Sequence, residues 1–293
     1  MRTLLKASLG RAYAAAGGLR RLHGGRLVVL TFHRVRPGGE DPQTRAMRTL
    51  DAPVPDLRRL LAWMRERYEP VALRDWIGRE SPPARPAFAV TFDDGWADNY
   101  AHAFPVLREL GIPATIFLAT RAVEECLPFW WQMPGLSDFE IQHLKRHSHH
   151  WIEAQLAGHP ELRKAHENDF LTWAQIREMG QSGLVDFGPH GHRHDLLDSM
   201  TREEALEDIR HCWTLLNQRA PGALLPALAW PNGNARGDLD AALEAMGLRA
   251  AFGTARGAAA TPAESRWNLP RNNVDRNLLV HPGLWPWMLM RAR

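Results

Sequence analysis

Cysteine is almost absent: Cys126 and Cys212 are the only two, far apart and without C-x-x-C spacing. They cannot build a zinc knuckle, and one potential disulfide gives no argument for secretion, so both are read as buried thiols. Lysine is also scarce, with only Lys6, Lys145 and Lys164, so the formal charge of +3 and pI of 9.2 rest on arginine. No dense basic block is interleaved with stacking aromatics, and nucleic-acid binding is not expected. Long apolar runs are missing too. In the first 25 residues the longest uncharged stretch, Ala12 to Leu19, is short and rich in alanine and glycine. It makes a poor signal-peptide core and is far too short to span a bilayer. Residues 1–25 mix Arg2, Lys6, Arg11, Arg20 and Arg21 with Leu4, Leu5, Leu9, Leu19 and Leu22. Two readings stay open for this segment: an amphipathic helix lying on a membrane surface, or a helix packed on the domain. The expected location is cytoplasmic, with peripheral contact at the inner face of the membrane as its extension. Repeats are lacking, and low complexity is confined to Gly257-Ala258-Ala259-Ala260.

The most informative feature present is Thr91-Phe92-Asp93-Asp94-Gly95. Residues 86–92 read as a buried strand, and Gly95 can turn the backbone sharply after the two acids. A buried carboxylate without a partner costs several kcal/mol, on the order of the penalty for any isolated ion, so both acids need a metal, an arginine or hydrogen-bond donors. Helix capping by Asp94-Gly95 accounts for one acid but hardly both.

Around this strand, apolar runs and helical periods alternate. Strands are expected at 26–32, 112–119, 184–188, 225–230 and 249–253. Helices are expected at 54–68, after the acid pair, at 172–179, at 201–218 and at 237–246. Thr172 with Gln175 and Thr201 with Glu204 form capping boxes. Alternation of this kind indicates an α/β fold with a parallel sheet and outer helices, open or closed into a barrel, whose strand C-terminal ends carry the chemistry. The pattern breaks over 121–170, read as a mostly helical insertion above the open end of the sheet. The division is then a segment at 1–25, a domain at 26–275 and an apolar tail at 276–293.

A metal constellation follows the strand at Leu184. His190 and His194 are four residues apart, which lets two imidazoles meet one ion from a helical turn or a tight loop. With Asp94 they make two histidines and a carboxylate, leaving positions open for water and substrate. By contrast His147, His149 and His150, beside Lys145 and Arg146, read as a solvated helix face.

These motifs resemble the polysaccharide deacetylase family (the NodB-homology group, carbohydrate esterase family 4). Thr91-Phe92-Asp93-Asp94-Gly95 is similar to its first motif, His190-x-x-x-His194 to its second, and Ala229-Trp230-Pro231-Asn232-Gly233 to its third. The resemblance runs from about Arg26 to Val274. It implies a distorted (β/α) barrel and hydrolysis of N-acetyl groups from the amino sugars of a glycan, in surface polysaccharide synthesis. It further implies a divalent ion, zinc first and cobalt as an alternative, on Asp94, His190 and His194. Asp93 would be the base, with a backbone N–H at Asn232 for the oxyanion, where the family usually shows an aromatic. The third motif lacks its leading arginine, and Arg271 takes that orienting role by resemblance to one branch. For the general acid, His33 in Thr31-Phe32-His33-Arg34 resembles the motif of permuted members and is preferred to His281.

Trp96, Trp230 and Pro231 are assigned to substrate binding by motif position, and Trp130 and Trp131 of the insertion are expected to roof the cleft. The tail 284–291 is read either as packed back or as touching a membrane beside the N-terminal segment. Two rival functions remain: a glycan-binding module that has lost catalysis, and an O-acetyl esterase using the same metal set.

Overall fold

All eight residues of the strand Ala87–Asp94 are buried, so both of its faces are covered, as a parallel sheet sandwiched by helices requires. The structure is a computed structural model and describes residues 2–38, 50–132, 136–145, 147, 149–158 and 169–293. Parts of the 121–170 insertion, including Lys164, Arg146 and Ser148, lie outside the described residues.

In chain order the strands are β1 (Leu27–Phe32), β2 (Arg34–Arg36), β3 (Asp51–Pro53), β4 (Glu69–Pro70), β5 (Ala87–Asp94), β6 (Ala114–Leu118), β7 (Val185–Pro189), β8 (Ala227–Ala229), β9 (Ala250–Phe252) and β10 (Asn272–Asn273). The main sheet runs β10-β1-β5-β6-β7, with β4 also paired to β5, and every ladder in it is parallel. β8 and β9 form a separate parallel pair. Ladders alone do not close a barrel. Between β7 and β8 the pairing falls to the bridge Phe187–Leu224, and from β9 toward β10 to the bridge Phe252–Leu269. The register aligns Phe32 with Phe92, and Asp94 with Leu118 and then Pro189, so the C-terminal ends of β1, β5, β6 and β7 lie side by side.

Helices cover the sheet as their apolar stripes require. Val54–Arg65 buries Leu57, Leu60, Leu61 and Met64. Both expected capping boxes form, Thr172 opening Trp173–Gln181 and Thr201 opening Arg202–Arg219. The insertion contributes Thr120–Glu125, a short turn at Trp130–Gln132, and the helices Asp138–Leu144 and His149–Leu156.

The two chain ends pack together. Helix Arg2–Ala15 lies against Trp285–Met290, so closely that a Cβ on Gly10 would sit 2.5 Å from the Trp287 nitrogen. Buried His23 donates from Nε2 to the Ala292 carbonyl at 2.8 Å and accepts at Nδ1 from the Tyr68 hydroxyl at 2.8 Å. Trp285, Met288 and Leu289 are buried in the main core, and Trp63 meets Trp285 edge-on at 5.8 Å. Trp285, Met288 and Leu289 of the tail are therefore core, while Leu284, Trp287 and Met290 are half-buried, so the tail packs back on the domain.

Candidate metal centre and catalytic cleft

Successive residues of a regular strand point to opposite faces, so adjacent acids should not share one cavity. Asp94 breaks that alternation with φ 79°, followed by Gly95 at φ 91°. Aspartate tolerates the left-handed region better than most residues. At Gly95 the positive φ favours glycine, and a Cβ would also lie 2.8 Å from Leu118 Cδ2. Both acids consequently line one cavity of about 560 Å3, shared with His33, His190, His194 and Asn232. A larger hollow of about 1000 Å3, near Glu69 and Pro86, contains none of the motif residues.

The second motif forms a loop rather than a helical turn. It leaves β7 after Pro189 and returns His194 at φ 59°. Buried Asp208 of the 202–219 helix holds this loop, accepting the backbone N–H of His192 at 2.7 Å and of Arg193 at 3.2 Å. His190 donates from Nδ1 to the Ala229 carbonyl at 2.8 Å. A carbonyl only accepts, so Nδ1 carries the proton and the Nε2 lone pair faces the cleft. Burial pushes the His190 pKa down to about 4, which leaves the ring neutral, as a metal ligand must be.

His194 Nε2 lies 3.2 Å and His190 Nε2 3.6 Å from Asp94 Oδ1. That buried oxygen has no hydrogen-bond partner. One ligand atom from each of Asp94, His190 and His194 falls within 4.8 Å of the others. An orphaned carboxylate oxygen beside two imidazoles fits a divalent cation of the zinc type. Burial works against ionising Asp94, yet its contacts with His194, His33 and His190 outweigh it and hold the acid below the usual carboxylate range.

Asp93 is secured differently. Arg271, wholly buried, grips it with two bonds, Nη1 to Oδ1 at 2.7 Å and Nη2 to Oδ2 at 2.8 Å. Its Nε donates to the Gly253 carbonyl at 2.9 Å, which fixes the guanidinium plane. Burial alone would raise the Asp93 pKa; Arg271 and then His190 reverse this, and the group stays ionised. Such a carboxylate, 3.9 Å from His190 Nε2, can accept a proton within the cleft.

The other assigned residues divide. His33 follows β1 on the cleft wall, half-buried, its carbonyl accepting from Asn99 at 2.8 Å. His281 is exposed, bonded to the Asn277 carbonyl at 2.7 Å, and lines no part of the cleft. Asn232 sits in the cleft with φ 57°, next to Gly233, where a Cβ would collide with Thr254. Trp96 does not offer a sugar-facing wall. It is 1% exposed, stacked on Phe170 at 4.8 Å with the Arg34 guanidinium 4.3 Å over its ring. Its indole N–H donates to Asp94 Oδ2 at 2.9 Å, so it orients an acid instead. Trp230 borders the cavity but is fully buried and tied to the Trp267 carbonyl at 2.8 Å, and Pro231 is buried off the wall. Neither exposes a face to a sugar. Trp130 and Trp131 do reach the cleft, with Trp131 edge-on to His194 at 4.5 Å.

Two residues had no signal in the sequence. Lys145, grouped there with a solvated face, turns into the cleft and donates to Asn232 Oδ1 at 2.9 Å. Burial lowers its pKa. Asp208 interrupts an otherwise ordinary amphipathic helix, and only the folded loop reveals its partners.

The polysaccharide deacetylase family model matches residues 80–251, more than half of the chain. Among curated relatives, the poly-beta-1,6-N-acetyl-D-glucosamine N-deacetylase of Escherichia coli (strain K12) is 27% identical over 167 residues, covering 56% of this chain and 20% of that protein. The enzyme of the same description from Staphylococcus epidermidis is 27% identical over 197 residues, covering 64% of this chain and 54% of its own. The match therefore spans a fifth to about half of these relatives' lengths. Among solved structures, the Streptococcus pyogenes deacetylase PplD in complex with acetate superposes with a TM-score of 0.66 at 18% identity, covering 91% of this chain and 97% of the other. IcaB from Ammonifex degensii gives a TM-score of 0.64 at 21% identity, covering 91% and 99%. These likenesses support the fold, and the family match supports more: the chain belongs to the polysaccharide deacetylase family.

Proposed function

We propose that this chain hydrolyses N-acetyl groups from amino sugars in an oligo- or polysaccharide, with a poly-N-acetylglucosamine of the kind named for its relatives as the first substrate to try. One observation carries the reading: a three-residue donor set, Asp94, His190 and His194, shares a cleft with an ionised Asp93 clamped by Arg271. A divalent cation held by Asp94, His190 and His194 would supply a Lewis acid and would lower the pKa of water to about 7.

The chain's own residues divide the remaining work. Asp93 takes a proton from the attacking water, whose oxygen bonds to the acetyl carbonyl carbon. Arg271 keeps the Asp93 carboxylate charged and oriented. The backbone N–H of Asn232, presented by the left-handed turn, donates to the developing oxyanion. His33 protonates the nitrogen as the C–N bond breaks, which frees acetate and the amine. Trp130 and Trp131 give the sugar ring an apolar wall. A binding module without catalysis would not need the complete set of base, clamp and ligands.

The test is acetate release from N-acetylglucosamine oligomers beside O-acetylated sugars, with His33→Ala in parallel. Release from the amides, with His33→Ala slowed at unchanged metal content, is expected. Release from the esters alone would replace the amide reading with an esterase.

A further inference from the structure

We propose that the exposed face of the Arg2–Ala15 helix is a docking surface for an anionic lipid membrane. This rests on the chain's surface and not on the reaction assigned to its cleft. Among the described residues, five large apolar side chains are exposed, and three of them lie within six residues of this helix: Leu4 at 74%, Leu5 at 61% and Leu9 at 49%. Exposed leucines scattered singly need no explanation, but a cluster does.

The leucines are not the core face of a misplaced helix, because the opposite side is already occupied. Gly10 is buried against Trp287, Tyr13 and Ala14 pack on the main core, and the next helix, Gly18–His23, buries Leu19 and His23. Leu5 and Leu9 are one turn apart, with Leu4 beside Leu5, so all three project from one side. The helix is thus held on its platform with its apolar side turned outward.

Charge selects the partner. Lys6, Arg11, Arg20 and Arg21 are exposed on these two helices, and neither helix contains an acidic residue. Exposed leucines beside Lys6 and Arg11 on the same helix match a bilayer interface, where acyl chains take the leucines and anionic headgroups take the cations. A second copy of the chain fits poorly. An isologous pairing would set Lys6 and Arg11 of one copy near those of the other, with no acid on this helix to offset them. No described helix is long and apolar enough to cross a membrane, so the contact is one of lying on the surface.

Vesicle co-sedimentation of the full chain tests this, using phosphatidylcholine vesicles with and without phosphatidylglycerol. The chain is expected to sediment with the phosphatidylglycerol-containing vesicles, far less with phosphatidylcholine alone, and less at high salt. The triple variant Leu4→Gln, Leu5→Gln, Leu9→Gln should bind at least about tenfold more weakly. Lys6→Glu with Arg21→Glu should remove the preference for anionic vesicles. Circular dichroism and acetate release from soluble oligomers should not change in either variant, since every substituted side chain is exposed and outside the cleft. Equal sedimentation of wild type and triple variant overturns the proposal, as does equal binding to both vesicle types or to neither. A concentration-dependent dimer, lost in the triple variant without any vesicle binding, would also overturn it and assign the face to a second copy.

Discussion

Replacing Arg271 with methionine keeps most of the side-chain volume and removes the charge. Asp93 is 3% exposed, and both its oxygens are held by Arg271 at 2.7 and 2.8 Å. Breaking a buried pair from one side strands the other charge and costs about 3–5 kcal/mol near pH 7. The Gly253 carbonyl also loses its 2.9 Å donor, but these terms overlap and the total is expected to stay in that range. The pH dependence is the sharper signature. In the wild type the folded-state pKa of Asp93 lies below the ordinary value, so its stabilising contribution is full above the unfolded pKa of about 3.9 and is lost as pH falls through the folded pKa. Without Arg271, burial raises the Asp93 pKa above that unfolded value. The variant is then relieved by protonation, and the stability gap narrows as pH falls from about 7 toward 4. Urea denaturation followed by tryptophan fluorescence, with chelator present throughout so that metal binding does not contribute, reads the gap at each pH. A gap below about 1 kcal/mol near neutrality, or one that widens on acidification, would mean that Arg271 does not hold Asp93 ionised.

Three further perturbations separate the supporting residues. Trp96→Phe removes the donor to Asp94 Oδ2 while keeping a ring between Phe170 and Arg34, and should weaken divalent-metal affinity by about 10–100-fold in a competitive chelator titration. Unchanged affinity would leave Trp96 a packing residue only. Asp208→Ala leaves the His192 and Arg193 amides without their acceptor, and should cost about 1–3 kcal/mol of stability by denaturant titration. A neutral result would mean that the loop holds itself. Lys145→Met releases the Asn232 side chain, and a fall in kcat/KM of about tenfold, near 1.4 kcal/mol, is expected at constant metal content. Wild-type kinetics would show that the contact is dispensable.

Elements carried by local chemistry were legible in the sequence. The capping boxes at Thr172 and Thr201 signal helix starts through neighbouring residues alone, and both form. The eight-residue buried strand reads as one because its apolar run is uninterrupted up to the acids. The helix after the acid pair was less regular than its period suggests. It opens as a wider π turn over Asn99–Ala103 before Phe104–Leu110, because Pro105 has no N–H to donate four residues back. The helix expected over 237–246 also divides, into a tight turn at Gly237–Leu239 and a short helix at Asp240–Ala245.

At the site, spacing placed His190 and His194 together, while the pairing of Asp93 with Arg271 joins residues 178 apart, so only the resemblance to one branch of the family, and no spacing, pointed to Arg271. Trp96 illustrates a different limit. Adjacency to the acids suggested a wall for substrate, but a tryptophan one residue beyond a left-handed turn folds back under Asp94. Lys145 shows the same limit from the other side. Its neighbours read as solvent-facing, and only the placement of the insertion over the cleft brings its ammonium to Asn232.

We propose that Asp94, His190 and His194 hold a divalent cation that the hydrolysis requires, with Asp93 acting beside it. Metal content and acetate release should be measured together on wild type, Asp94→Ala and Asp93→Asn, before chelation, after it, and after zinc or cobalt is restored. Chelator-sensitive release recovered by either metal is expected in the wild type, no bound metal in Asp94→Ala, and bound metal without turnover in Asp93→Asn. Acetate release that survives chelation, or full metal occupancy in Asp94→Ala, would contradict it.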